Sequence, residues 1–172
     1  MSSVDVLLTN AESYAAGFNL GGLPGRPASA VAIVACMDAR LNLYGLLGLA
    51  EGDAHIIRNA GGVATDDVLR SLVVSQHLLG TTQVMFVQHT GCGMMSFSDD
   101  EVKDRIEAGT GHRPPFPLGA FPDLAASVRS SVTAVRACPF LPRRDAVRGF
   151  VYEVETGRLR EITDEITDEI TD

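Results

Sequence analysis

A chain of 172 residues, 45% hydrophobic and 21% charged, fits one domain with a proper core and has the composition of an ordinary soluble globular protein. Its formal net charge of −8 argues against non-specific binding to nucleic acid or to an anionic membrane. Most of that charge is local: residues 161–172 hold six of the 22 acids and none of the 14 basic residues, so the rest carries a formal −2 and says little about partners.

In chain order, "MSSVDVLLTN" has no basic leader region, and no apolar run is long enough to span a bilayer, so a cytoplasmic location is expected. "VDVLLTNAESYAAGF" has a helical spread of apolar positions and precedes the first strand. It forms an arm, within residues 1–27, that can pack on a partner subunit as easily as on its own domain. "GGLPGRP" is a turn-rich break. "ASAVAIVAC" is a continuous β-branched run, the pattern of a strand buried on both faces in a parallel sheet. "NLYGLLGL" suggests a short helix and "DAHIIRNAGG" a short strand running into glycines. Thr65 or Asp66 can cap the next helix, whose stripe "VLRSLVVSQHLL" ends at Gly80.

"QVMFVQH" is a second buried strand. "DDEVKDRIEAG" and "PDLAASVRSSVTAVRAC" read as helices separated by the loop "GTGHRPPFPLGAFP". "VRGFVYEVETGRLREI" reads as a strand, a Thr-Gly turn and a returning edge strand. Strands alternating with helices predict an α/β domain over residues 1–160, with a mostly parallel central sheet flanked by helices. Residues 161–172, "EITDEITDEITD", repeat one tetrapeptide three times; acidic repulsion and missing caps predict a frayed, solvated tail.

In such sheets ligands bind beyond the carboxyl ends of the strands, and Cys36 and His89 both fall there. The three cysteines, at 36, 92 and 138, are not a disulfide framework and suit a reducing compartment. "HTGCG" places His89 and Cys92 three residues apart in a glycine-rich loop. If Cys36 arrives from a neighbouring strand end, two thiols and one imidazole converge. Zinc accepts that set, and three protein ligands leave a fourth position open for water, as in a catalytic site. Cys138 offers no evident fourth ligand. The bland alternative is that these cysteines are buried small hydrophobes.

Two thiolates cancel the charge of zinc, yet its bound water must become hydroxide near neutral pH. Asp38, in "CMDAR", is placed to accept that hydroxide's hydrogen bond and orient it, or alternatively to ligate the metal and shut water out. The planar fork of Arg40 can hold Asp38 by a bidentate pair. A surface ion pair without a role is the competing reading. A phosphatase-type loop needs five residues between Cys and Arg, where this chain has three. "NAGGVATDD" lacks both Gly-rich phosphate-loop patterns. Gly61 and Gly62 permit close approach of backbone to substrate or metal loop, and Arg58 can pair at the sheet edge. Met94, Met95 and Phe97 are pocket wall or core, and His55, His77 and His112 have the context of surface or satisfied structural histidines.

"CMDAR", "IIRNAGG" and "HTGCGM", in this order and spacing, resemble the compact form of the β-class carbonic anhydrases, over about Ala28 to Gly157. The resemblance implies that Cys36, His89 and Cys92 hold one Zn2+ per chain and that Asp38 and Arg40 are the catalytic dyad. Asp38 is then a fourth ligand only in a closed state. It implies reversible hydration of carbon dioxide to bicarbonate in a pocket lined by Ala60 and Gly61. It also implies a homodimer or higher homo-oligomer embraced by N-terminal helices, without nucleic acid or membrane partners. Relatives with the same residues hydrolyse carbonyl sulfide or carbon disulfide, which makes a COS/CS2 hydrolase the nearest alternative. A non-catalytic zinc-binding protein is a further one. Many members have serine where this chain has Ala39.

Overall fold

A computed structural model describes residues 2–163. The elements run α1 (Ser3–Ala16), β1 (Val31–Cys36), α2 (Leu43–Leu47), β2 (Ala54–Asn59), α3 (Asp66–Leu78), β3 (Gln83–His89), α4 (Asp99–Thr110), α5 (Leu124–Ala137), β4 (Val147–Tyr152) and β5 (Leu159–Ile162). The five strands form one sheet in the order β2-β1-β3-β4-β5. β1 to β4 pair in parallel and β5 closes one edge antiparallel to β4. This is the mostly parallel α/β sheet that the alternating elements predict.

The central strands are apolar because both faces are covered. Ala32 to Cys36 are all buried in β1, as are Phe86, Val87, Gln88 and His89 in β3. Ala32, Val34, Val84 and Phe86 pack with Val68 and Leu72 of α3 and Val132 and Val135 of α5. Ile33, Ala35 and Val87 belong to a second cluster with Leu41 and Leu43 beside α2. Gly149 lets α5 lie directly on β4, since a Cβ there would stand 2.3 Å from Val128 Cγ1.

The helix ends follow local chemistry. Of the two candidate caps for α3 it is Thr65, whose hydroxyl accepts from the Val68 N–H, and α3 ends at Leu78, two residues before Gly80. Ser98 and Glu101 close a reciprocal capping box at the start of α4. Asp99 accepts from the backbone N–H groups of Leu118 and Ala120 at 2.7 and 2.9 Å. These bonds hold the Pro/Gly loop against the domain and keep the Asp99 carboxyl below the usual carboxylate range.

α1 buries none of its residues, and Val4, Leu7 and Leu8 are exposed. A hydrogen bond from the Tyr14 hydroxyl to Glu51, 2.6 Å, ties its end to the body. The acidic segment expected to start a tail at Glu161 begins inside the sheet instead. Glu161 and Ile162 are residues of β5, because Ile162 is buried and pairs with Gly149 while Glu161 binds Arg148. The remainder of that expectation, residues 164–172, lies outside the described residues.

Candidate metal centre

β1 and β3 are neighbours and run in parallel, so Cys36 and His89 reach the same pole of the sheet. The chain then turns from β3 through Thr90 and Gly91 to bring Cys92 back beside Cys36, with the two sulfurs 4.0 Å apart. Sγ of Cys36, Sγ of Cys92 and a ring nitrogen of His89 all lie within 4.8 Å of one another, and all three residues are buried. Cys138 is buried in the other cluster, beside Val135 and Leu141.

The imidazole is held in a defined tautomer. A carbonyl can only accept, so His89 Nδ1 carries the hydrogen that it donates to the Thr90 carbonyl at 2.9 Å. Nε2 therefore presents a lone pair; it is fully buried and has no hydrogen-bond partner among the described residues. Leaving such an atom unpaired costs about 1–3 kcal/mol. Burial works to lower the His89 pKa, but the Cys36 sulfur, the Thr90 carbonyl and the Asp38 charge together raise it.

The thiols are a coupled pair. The hydrogen bond between the two sulfurs lowers the Cys36 thiol against the opposing effect of burial, with help from His89 and the backbone N–H groups of Asp38 and Gly61. The same bond, together with burial, pushes Cys92 up. Two sulfurs and an imidazole lone pair facing a common point form a donor set suited to a soft or borderline divalent cation. The strand-end positions of Cys36 and His89 and the spacing of "HTGCG" suggested this grouping, the family resemblance implied it, and the three side chains meet here.

Asp38 lies at the rim. Arg40 donates through Nε to Oδ1 at 2.9 Å, through Nη2 to Oδ2 at 2.7 Å, and through its backbone N–H to Oδ1 at 2.9 Å. These bonds hold the Asp38 carboxyl far below the usual carboxylate range. Asp38 Oδ2 is 3.6 Å from His89 Nε2, so the carboxylate borders the cluster while both its oxygens are engaged by Arg40. Arg40 Nη2 also donates to the Gly91 carbonyl at 3.1 Å, linking the loop after β1 to the loop after β3.

Two positioning groups escaped the sequence reading. Arg58, on edge strand β2, does more than pair at the sheet edge. It donates twice to the Cys36 carbonyl, at 2.9 and 2.7 Å, and once to the Asp38 carbonyl at 2.6 Å, which fixes the backbone on either side of Met37. Its signal was an arginine directly after the two isoleucines of "HIIRN". Thr90 accepts from the Val154 N–H at 3.1 Å and donates to Glu155 at 3.2 Å, which anchors the carbonyl that orients His89. Nothing in its local pattern marks it.

Gly62 answers for the close approach anticipated at the glycines: φ is +64° and a Cβ would stand 2.6 Å from the Cys36 nitrogen. Gly61, at φ +83°, is buried behind Cys36, and Ala60 is half-buried beside it. Met94 and Phe121 pack beside Gly61, while Met95 lines an open cleft with Thr90, Cys92, Pro122 and Glu155. His55 is a structural histidine. Its Nε2 donates to the Gly25 carbonyl at 3.1 Å and its Nδ1 takes the Ser75 hydroxyl at 2.8 Å. His77 Nε2 donates to the Phe140 carbonyl at 2.9 Å, and His112 is exposed.

A family model described as carbonic anhydrase matches residues 31–112. "Beta-carbonic anhydrase 1" of Mycobacterium tuberculosis is 48% identical over 163 residues, covering 95% of this chain and 99% of that protein. A carbon disulfide hydrolase of an Acidianus strain is 35% identical, covering 75% of each. Among solved structures, a carbonic anhydrase from Streptococcus mutans superposes with a TM-score of 0.89 at 38% identity, covering 95% of this chain and 99% of that one. The apo form of a carbon disulfide hydrolase gives 0.69 at 29% identity, covering 98% and 96%.

Proposed function

The chain belongs to the β-carbonic anhydrase family, and from that premise we propose that it catalyses the reversible hydration of carbon dioxide to bicarbonate with one zinc ion. The observation that carries this reading is the buried, unpartnered His89 Nε2 facing two sulfurs 4.0 Å apart. Cys36, His89 and Cys92 fit zinc in ligand type and number, and with three protein donors one tetrahedral position stays open. When bound, zinc supplies the Lewis acidity that makes a water acidic enough to attack an electrophilic carbon near neutral pH.

The residues of the chain do the rest. Asp38 is ionised at any physiological pH, because Arg40 neutralises it, so it accepts a hydrogen bond and cannot donate one. It orients the attacking water at the rim of the cluster. Arg40 engages both carboxylate oxygens and so keeps Asp38 from becoming a fourth ligand. Arg58 and Gly62 fix the β1 loop, and Thr90 fixes the imidazole. Ala60 and Gly61 line the pocket for a small linear substrate.

The second reading, hydrolysis of carbonyl sulfide or carbon disulfide, is favoured by the relatives that carry that name. All three substrates are electrophilic at carbon, and the same residues serve each. Initial rates of carbon dioxide hydration and of sulfide release, measured on zinc-loaded protein at one pH, decide between them. Fast hydration with slow sulfide release supports the first reading, the reverse the second, and neither activity the non-catalytic alternative.

The chain works as a homodimer or larger homo-oligomer in the cytoplasm. Support comes from α1, which buries nothing in its own subunit, and from Met37 and Tyr44, apolar side chains exposed at 66% and 50%. No described helix is long and apolar enough to cross a membrane. Removing residues 2–17 halves the mass seen by light scattering if the arm holds the dimer; an unchanged mass overturns that role.

A further inference from the structure

The two sulfurs of the cluster are met by backbone N–H groups from separate segments: those of Asp38 and Gly61 on Cys36, and that of Met94 on Cys92. Gly61 belongs to the turn after β2, at 60–62, and Met94 to the turn after β3, at 93–95. Phe121 touches both turns. A Cβ on Gly61 would stand 3.0 Å from Phe121 Cε1 and 3.4 Å from Met94 Cγ, so ring and thioether close over the glycine. The Phe121 N–H donates to the Met94 carbonyl at 3.1 Å. The ring is buried in the same apolar cluster as Cys36 and Cys92.

Phe121 is held in turn by the loop before it. On its outer side it borders a pocket of about 400 Å³ lined by the small side chains of Ala126, Ser130 and Ala134 from α5, so packing there is thin. The three residues ahead of it, Leu118, Gly119 and Ala120, donate their N–H groups to Asp99 at 2.7, 3.4 and 2.9 Å. Both carboxylate oxygens are used, Oδ2 by Leu118 and Gly119 and Oδ1 by Ala120. Asp99 opens α4, where the capping box of Ser98 and Glu101 fixes the backbone and the helix end favours a negative charge. Hydrogen bonds to an ionised acceptor are stronger than neutral ones, so this clamp is a firm one.

We propose that Phe121 is a positioning residue for the metal centre and that Asp99 acts through it. The clamped loop sets the ring on Gly61 and the Phe121 N–H on Met94, and so keeps the Gly61 and Met94 N–H groups on the two sulfurs. The proposal rests on the reading of Cys36, His89 and Cys92 as zinc ligands. An N–H on a thiolate draws electron density from the sulfur, so the brace governs both the aim of the ligands and the charge they pass to the metal.

The test compares the full chain with Asp99→Asn, Phe121→Leu and the double variant. At saturating zinc, amide exchange at Gly61 and Met94, read by NMR, speeds about three- to tenfold in each variant. Zinc affinity, read by competition with a chelator, falls about 10- to 100-fold in Phe121→Leu. It falls no further in the double variant, because Asp99 acts through the ring. With cobalt(II) in place of zinc, the sulfur-to-metal absorption moves to longer wavelength, as it does for thiolates that lose N–H partners. Asp99→Asn turns an NH2 group toward a backbone N–H without touching the core, and it carries the test if Phe121→Leu does not fold. Additive losses in the double variant overturn the route from Asp99 through Phe121. A parent chain that binds no zinc overturns the zinc reading and this role with it. A parent that binds zinc, beside folded variants with unmoved exchange and an unmoved cobalt spectrum, overturns this role alone.

Discussion

The two poles of the sheet treat charged side chains in opposite ways. At the carboxyl ends of the strands, Arg40 and Arg58 are committed to fixed partners inside the described fold, and Asp38 is engaged at both oxygens. His89 Nε2, buried and like the adjacent Gln88 Oε1 without a hydrogen-bond partner among the described residues, faces two sulfurs. At the other pole Arg129 and Arg136 have no acidic partner among the described residues. An unpaired buried acceptor is expensive and implies a ligand that the fold was shaped around. Unpaired surface cations cost little, because water solvates them, and imply no ligand.

The largest contrast comes from breaking the donor set. Cys36→Ser or Cys92→Ser should take zinc from about one ion per chain to near none, by elemental analysis of the folded protein, because three ligands become two and a charge is lost. Full zinc retention in either variant would contradict the assignment. Next is Asp38→Asn, which should keep the metal while turnover falls about 10²- to 10³-fold, the scale for losing an orienting or proton-handling group. Near-normal rates would remove Asp38 from the mechanism. Arg58→Gln is smaller: a loss of about 10- to 100-fold in activity or zinc affinity, as for groups that orient metal ligands. An unchanged enzyme would show that the β1 loop holds itself.

The smallest effect belongs to the opposite pole. Arg148 holds the Glu161 carboxyl below its ordinary value, so the folded state favours the charged form. That stability is present above the unfolded carboxyl's value near 4.5 and drains as pH falls below it toward the folded-state value. Glu161→Gln should therefore lower the unfolding free energy from urea titration slightly at pH 7, by no more than about 0.5 kcal/mol for so exposed a pair, and the difference should vanish at acid pH. A difference that grew on acidification would contradict the sign.

The metal pole was legible in sequence because its chemistry admits few residue types. Thiols, an imidazole and a carboxylate–arginine pair at strand ends stand out against apolar runs such as "ASAVAIV" and "QVMFVQH". The sheet was legible for the same reason: buried parallel strands are continuous in hydrophobicity. Arg58 and Thr90 were not, since each acts through backbone carbonyls and amides on another strand or loop, and such contacts leave no spacing pattern. A pocket walled by Arg129, Arg136 and Arg148 was invisible too. It needs α5 to lie on Gly149 before residues 129, 136 and 148 share a wall, a matter of register and not of motif. Glu161 and Ile162 were read twice, as the end of the returning strand in "VRGFVYEVETGRLREI" and as the first of the "EITD" repeats, and their pairing with β4 supports the strand.

X-ray absorption at the zinc edge, on stoichiometrically loaded protein near neutral pH, tests the central claim most directly. The account predicts a shell of two sulfurs at about 2.3 Å and two lighter atoms at about 2.0–2.1 Å, one of them an imidazole nitrogen. The sulfur count should fall to one in Cys92→Ser, in whatever fraction still binds metal. A shell of nitrogen and oxygen alone, or one with three sulfurs, would contradict the site formed by Cys36, His89 and Cys92.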